Sequence, residues 1–200
     1  MTPGKGALRK AALLEAAEFV LVTSGNANAT MRNFAAAANV RVGHLQHYFP
    51  TRSDLMQAVL ERVLQRSLAQ LREVSGVDLD SGGDAPISPV ETGRIVGALL
   101  DQHADPATVR LYVEIWAMAA SDEEIAAVLR GFYAHYAGYV ELIVKRAQPQ
   151  LAPGARVAAA NSIVALLEGA AVVRSGFAGL RSQGTDNELL AAVQRLLHGQ

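Results

Sequence analysis

Residues 30–52, TMRNFAAAANVRVGHLQHYFPTR, constrain the fold more than any other stretch of this 200-residue chain. They read as two short helices joined by a tight turn. Thr30 is an N-cap residue, because its hydroxyl can accept from an amide two or three residues on that lacks a helical partner. Met31, Phe34, Ala35 and Ala38 follow at helical spacing and give one apolar face. The small residues Ala35–Ala38 let another helix pack closely. Asn39 ends this helix, since Asn tolerates left-handed backbone and can stand where Gly often closes a helix. Val40 is the apolar plug of the turn. A second helix runs from Arg41 to about Phe49 and is stopped by Pro50. Val42, Leu45 and Phe49 share an inward stripe, which leaves Arg41, His44, Gln46, His47 and Tyr48 over the remaining surface. A short helix fits the major groove of B-DNA, where guanidinium, imidazole and amide groups can reach base edges or phosphates.

These residues resemble the helix-turn-helix of the tetracycline-repressor (TetR) family of bacterial transcriptional regulators. That family's pattern runs T-x-x-x-[apolar]-A-x-x-A-G-V-S-x-[small]-x-L-Y-x-[YH]-F, then a turn with a basic residue and a long helix. Thr30, Phe34, Ala35, Ala38, Val40, Gly43, Leu45, Tyr48, Phe49, Arg52 and Leu55 stand at matching positions. Three positions depart from it. Asn39 replaces the turn Gly. Arg41 replaces the Ser that usually caps the recognition helix, so a cap is lost and a cation gained. Gln46 replaces the usual Tyr and removes an aromatic phosphate contact. The similarity covers residues 8–60; beyond them only length and helical layout match. Arg41, Val42, Gly43, His44, Gln46 and His47 are the groove candidates, and Thr30, Arg32, Tyr48 and Arg52 the phosphate candidates. The competing reading of each is a solvated surface residue. His44 and His47, three apart, could ligate a metal, but no Cys or obvious acidic third ligand joins them, so none is expected.

The net charge of −1 looks wrong for a DNA-binding protein until it is divided. Residues 1–52 carry Lys5, Arg9, Lys10, Arg32, Arg41 and Arg52 against Glu15 and Glu18, a net +4. Residues 53–200 carry the other twelve Lys/Arg against seventeen acids, a net −5. A local positive surface attracts phosphate whatever the total. Zero cysteines exclude disulfides and thiolate metal sites. The length allows one or two compact domains with a sizeable core. No apolar run spans a membrane and no signal peptide is present, so the expected location is the cytoplasm, with no membrane partner.

Along the rest of the chain the pattern is helical. Residues 1–6 form a flexible basic lead. A first helix covers 7–24, with Leu8, Ala11, Ala12, Leu14, Ala17, Phe19, Val20 and Leu21 as its apolar residues and Gly25 as C-cap. A long helix starts at Ser53, its N-cap, and runs to about Val74 with Leu55, Val59, Val63, Leu64, Leu68 and Leu71 on one stripe. Residues 75–89 are an acidic, glycine-rich loop. Helices follow at about 89–103, 106–120, 122–147, 153–177 and 185–198. Pro106 and Pro153 suit helix starts, and Ser121/Glu124 and Thr185/Glu188 fit capping boxes. The fold class is all-α with about nine helices: a three-helix head at 1–52 for DNA, and at 53–200 a connector helix with a helical body for effector binding and dimerisation.

The body carries Tyr112, Trp116, Phe132, Tyr133, Tyr136 and Tyr139. Aromatics on helices are plain core, or they line a ligand pocket between helices. The layout R-L-Y-x-E-x-W-A-x-A, Arg110 to Ala119, resembles a subgroup whose relatives include the choline-responsive repressor. The resemblance implies a small-molecule effector, with Tyr112, Trp116, Phe132, Tyr133, Tyr136 and Glu168 as candidate contacts. Glu168 sits in SIVALLEGAAVV among apolar neighbours, and a lone buried carboxylate is costly. It either meets a cationic effector, with cation–π help from Trp116 or a Tyr, or forms a salt bridge to Arg110 or Arg174. In the C-terminal helices Leu189, Leu190, Val193, Leu196 and Leu197 form a stripe. It is either a partner surface, as in the resembled family's four-helix dimer bundle, or intrachain core.

No phosphate loop, G-x-S-x-G motif, Cys nucleophile or metal spacing is present, so no enzyme activity and no cofactor are expected. The expected protein is a homodimeric regulator, a repressor that binds a palindromic operator and is released by a small molecule. The alternative is a helical small-molecule-binding protein without specific DNA binding.

Overall fold

The computed structural model describes residues 4–75, 85–102 and 104–199. The first three residues of the lead, most of the acidic loop and the Leu71 side chain lie outside them. Among the described residues the chain forms nine α-helices, one 3-10 turn and no strand. They are α1 (Lys5–Ser24), the turn Asn26–Asn28, α2 (Met31–Ala37), α3 (Val42–Tyr48), α4 (Arg52–Ser75), α5 (Pro89–Gln102), α6 (Pro106–Ala119), α7 (Glu123–Ala147), α8 (Pro153–Arg174) and α9 (Gln183–His198). The lead is shorter than expected, because Lys5 and Gly6 already belong to α1.

Three helix starts differ from the pattern because a better-placed oxygen caps instead, upstream of the expected residue at α4 and α9 and one residue downstream at α7. Thr51, not Ser53, caps α4, exchanging hydrogen bonds with Asp54 (Thr51 N–H to Oδ2 2.9 Å, Asp54 N–H to Thr51 Oγ1 3.1 Å). At α7, Asp122 accepts from the Glu124 and Ile125 amides at 3.1 and 3.3 Å, while Ser121 Oγ donates back to the Met118 carbonyl. At α9, Ser182 Oγ accepts from the Thr185 amide at 3.1 Å. A carboxylate at a helix start also gains from the helix dipole, which favours Asp122 over its serine neighbour. α8 ends at Arg174 rather than 177, with Ser175 in extended backbone.

The chain divides into two compact units, residues 1–63 with 110–132, and 64–109 with 133–200. In the first, α1 buries Leu13, Leu14, Ala17, Val20 and Leu21, while Leu8 and Phe19 stay exposed. Phe34, Leu45 and Leu55 are fully enclosed. In the second, Ile95, Leu99, Val144, Ile163, Leu167, Val193 and Leu197 belong to one core, against which Leu189, Leu190 and Leu196 pack partly buried. Most of the C-terminal leucine stripe is therefore intrachain core.

α8 corrects one expectation about apolar length. It is 22 residues long with a mean hydropathy of 1.5 over its most apolar window, enough by length and composition to cross a membrane. Arg156, Asn161, Ser162 and Glu168 interrupt every apolar run, yet Ala, Val, Leu and Ile outweigh them in the mean. Its exposed side carries a row of small residues, Ala158, Ser162, Ala165 and Gly169, beside Val157, Asn161 and Val173.

Candidate nucleic-acid interface and effector site

The turn between α2 and α3 is a Schellman closure. The Asn39 amide donates to the Ala36 carbonyl at 3.0 Å and the Val40 amide to the Ala35 carbonyl at 2.9 Å. This pairing needs a left-handed residue at Asn39, whose φ is 53°, the positive-φ position among described non-glycine residues. Thr30 caps α2 as the pattern expects, accepting from the Asn33 amide at 3.2 Å. Arg41 occupies the N-cap of α3 without a side-chain cap bond, so its guanidinium is not tied to its own helix.

α3 buries Leu45, and Phe49 closes the same face; Val42 and Tyr48 are half-buried. Arg41, Gly43, His44, Gln46 and His47 are exposed, as are Thr30 at the N-cap of α2 and Arg32 in its first turn. A Cβ on Gly43 would meet open space, so none of the described residues covers that point of the helix. Both imidazoles stand edge-on to the Tyr48 ring, His44 at 5.5 Å and His47 at 5.3 Å between centroids. No group of three metal-ligating side chains gathers among the described residues.

Two basic residues absent from the candidate set lie at this face. Arg9 Nε donates to His44 Nε2 at 3.3 Å, and Lys10 Nζ sits 5.6 Å from the centre of the Phe49 ring. The only hint in the sequence is that the Arg9–Lys10 pair belongs to the basic end of the chain. Arg52, by contrast, is not a lone cation: Asp122 holds its guanidinium.

Glu114 of α6 also reaches the head. Its Oε2 accepts from the Asn26 amide at 2.6 Å, and its carboxylate covers Gly25, where a Cβ would lie 3.2 Å from Oε1. Gly25 has φ 73° and ψ 175°, backbone that essentially only glycine adopts. Gly25→Ala is expected to lower stability by about 1–2 kcal/mol. A urea midpoint that falls with an unchanged slope checks this; an unmoved midpoint shows that the backbone at residue 25 relaxes out of this region at no cost.

The six effector candidates fall into two groups. In the first unit Tyr112 lies against Trp116 and Phe132, with ring centroids 6.4 and 5.9 Å apart. Tyr112 and Phe132 are buried and Trp116 half-buried. In the second unit Tyr133 donates from its hydroxyl to Glu168 Oε2 at 3.1 Å, and Tyr136 packs half-buried against the core. Burial pushes the Glu168 carboxyl up to about 7, against the lowering effect of the Tyr133 hydrogen bond. Both arginines that could have paired with it are committed elsewhere. Arg110 lies 3.7 Å from Glu114. Arg174 is buried, paired with Asp186 at 2.7 and 2.9 Å and donating to the Leu100 carbonyl at 2.9 Å. Among the described residues, Glu168 is thus a largely buried carboxylate held by a phenol and not by a cation.

Comparison with known proteins adds the following. Residues 13–59 match the family model for bacterial regulatory proteins of the tetR family. Residues 93–199, more than half the chain, match the model described as BetI-type transcriptional repressor, C-terminal. A helix-turn-helix transcriptional regulator from the dhlA 5′ region of Xanthobacter autotrophicus is 26% identical over 76% of this chain and 72% of its own. A structure from Pseudomonas aeruginosa, described as a transcriptional regulator, shares the fold with a TM-score of 0.74 at 22% identity, covering 98% of this chain and 91% of its own. A structure from Saccharomonospora viridis, described as a transcriptional regulator in complex with choline, superimposes with a TM-score of 0.64 at 13% identity over 94% of each chain.

Proposed function

The chain belongs to the tetR family of DNA-binding transcriptional regulators, and we propose that it works as a homodimeric repressor released from a palindromic operator by a cationic small molecule. The observation that carries the DNA half is the exposed row Arg41, Gly43, His44, Gln46 and His47 on a short helix whose other face is locked into the head. That row enters the major groove, and Thr30, Arg32, Tyr48 and Arg52 contact the flanking phosphates. Residues 1–52 serve DNA binding and 53–200 serve effector binding and pairing. Two heads related by two-fold symmetry set half-sites roughly 34–36 Å apart, or somewhat more.

Glu168 with Tyr133 supports the effector half. An ionisable carboxylate kept in an apolar setting without a cation is matched by a ligand that brings one, and aromatic faces suit an ammonium or quaternary ammonium group. The similarity in fold to the choline complex from Saccharomonospora viridis agrees with this choice. Such a ligand acts only through its preference for one conformation, in which the heads no longer match the operator spacing. Pairing through α8 and α9 would cover the apolar outward side of α8, and the protein would act in the cytoplasm, where its operator is.

Fluorescence anisotropy with a duplex from the chain's own upstream region, at two salt concentrations, tests the DNA half. Specific binding should weaken steeply with salt. Arg41→Ala and His47→Ala are each expected to weaken it by about 1–3 kcal/mol if the group reads a base. Unchanged affinity removes that residue from the interface.

A further inference from the structure

The first turn of α4, directly after the recognition helix, is clasped by carboxylates from the start of α7. Asp122 uses Oδ1 to cap α7 and Oδ2 to take the Arg52 guanidinium. Ser53 Oγ donates to Glu124 Oε2 at 2.8 Å. The Asp122 carboxyl is held below the usual carboxylate range, chiefly by the Ile125 amide, with Arg52 adding to it against the cost of burial. The pair stays open to competition from solution, since the Arg52 and Asp122 side chains are 37% and 27% exposed.

Arg52 and Ser53 stand where a groove-bound α3 would bring the DNA backbone, three and four residues past Phe49. Their present partners are anions. We propose that Asp122 and Glu124 are an internal stand-in for operator phosphates: they occupy Arg52 and Ser53 in the free protein, and DNA must displace them. This rests on the reading that α3 docks in the major groove. The clasp lowers DNA affinity by a set amount and makes that amount adjustable. α7 carries Phe132, ten residues beyond Asp122 and packed against Tyr112 in the same compact unit, so a ligand that shifts α7 there reaches the clasp at the start of that helix. Tightening it disfavours DNA, and loosening it favours DNA.

Asp122→Asn is the informative variant. Asn caps helices as well as Asp does, so the start of α7 is kept while the charge is removed. Full-length protein is titrated against a labelled duplex from its own upstream region, and against a scrambled one, at several KCl concentrations. Asp122→Asn is expected to tighten specific binding about threefold per head, hence about tenfold for two heads. The slope of log affinity against log salt should also steepen, because salt weakens the competing Arg52–Asp122 pair of the wild type along with the phosphate contact, whereas the variant keeps only the second effect. In an Arg52→Gln background the substitution should change neither quantity. Unchanged or weaker binding by Asp122→Asn overturns the clasp while DNA recognition stands, and weaker binding makes Asp122 a positioning residue for α4. A wild-type chain that prefers no duplex at any salt overturns the groove reading itself, and the clasp with it. Should Asp122→Asn fail to fold, Glu124→Gln carries the test through Ser53, with about twofold tightening expected and no tightening overturning the proposal.

Discussion

Glu168→Gln is expected to raise the unfolding free energy by about 3 kcal/mol at pH 8 and to leave it unchanged near pH 4. The carboxyl moves from its ordinary 4.5 to about 7 on folding, first because burial disfavours its charged form. A tenfold difference in proton affinity between the folded and unfolded chain corresponds to about 1.4 kcal/mol. The folded state holds this proton more tightly than the unfolded chain does. Between pH 4.5 and 7 it therefore binds more protons, and wild-type stability falls as the pH rises through that window. Above it the loss is complete; below it both states are protonated and nothing is lost. Gln has no proton to lose and its amide oxygen can still accept from Tyr133, so its stability should be flat where the wild type declines. Urea midpoints from pH 4 to 8 make the comparison, and parallel curves would remove Glu168 as the cause.

A group that lowers stability at neutral pH is more often kept for what it binds than for what it holds together. A cationic effector at Glu168 would favour the ionised form and expel the proton. Its affinity should then rise with pH up to about 7 and level off. The same substitution would abolish that dependence along with most of the binding.

How much of this is legible in the residues varies with the range of the interaction. The Asn39 turn, the Thr30 cap and the inward row Leu45 and Phe49 follow from backbone preference and helical spacing, which are local, and they stand in the structure as the pattern requires. Read alone, the departures at Arg41 and Gln46 leave room for a protein without DNA binding; the tetR-family match over residues 13–59, which includes both positions, decides for the DNA-binding regulator. Capping differs from the pattern at Ser53, Ser121 and Thr185, because several oxygens compete within one turn and the winner depends on which residue takes extended backbone. Arg9 at His44, Glu114 at Asn26 and Asp122 at Arg52 join residues 35, 88 and 70 positions apart. No periodicity within one helix reports such pairs. Glu168 is half legible: its apolar neighbours announce a buried carboxylate, but only the structure shows that Arg110 and Arg174 are engaged elsewhere.

The same distinction decides how to test pairing of two chains. Leu196 looks like an interface residue in sequence, yet it packs partly buried against the core of its own unit. A charge there attacks the fold and reports nothing about a partner. Ala165 is the sharper probe. It lies midway along α8 on an exposed row with Ala158, Ser162 and Gly169. Small residues at this spacing let two helices approach closely, and Val173 and Phe177, 40% and 68% exposed, continue the surface. Ala165→Asp leaves a solvated carboxylate on a monomer but an unpaired charge in a dry contact of the dimer, a cost of about 3–5 kcal/mol. Light scattering should show the mass falling to that of one 21.2 kDa chain, with helical circular dichroism unchanged. Operator affinity should fall at least about a hundredfold, since two heads no longer bind as one linked pair. Binding to a single half-site should persist, because the head is untouched. An intact dimer would move the interface off this face of α8. A monomer that kept full operator affinity would show instead that one head suffices, and the two-fold operator would have no basis.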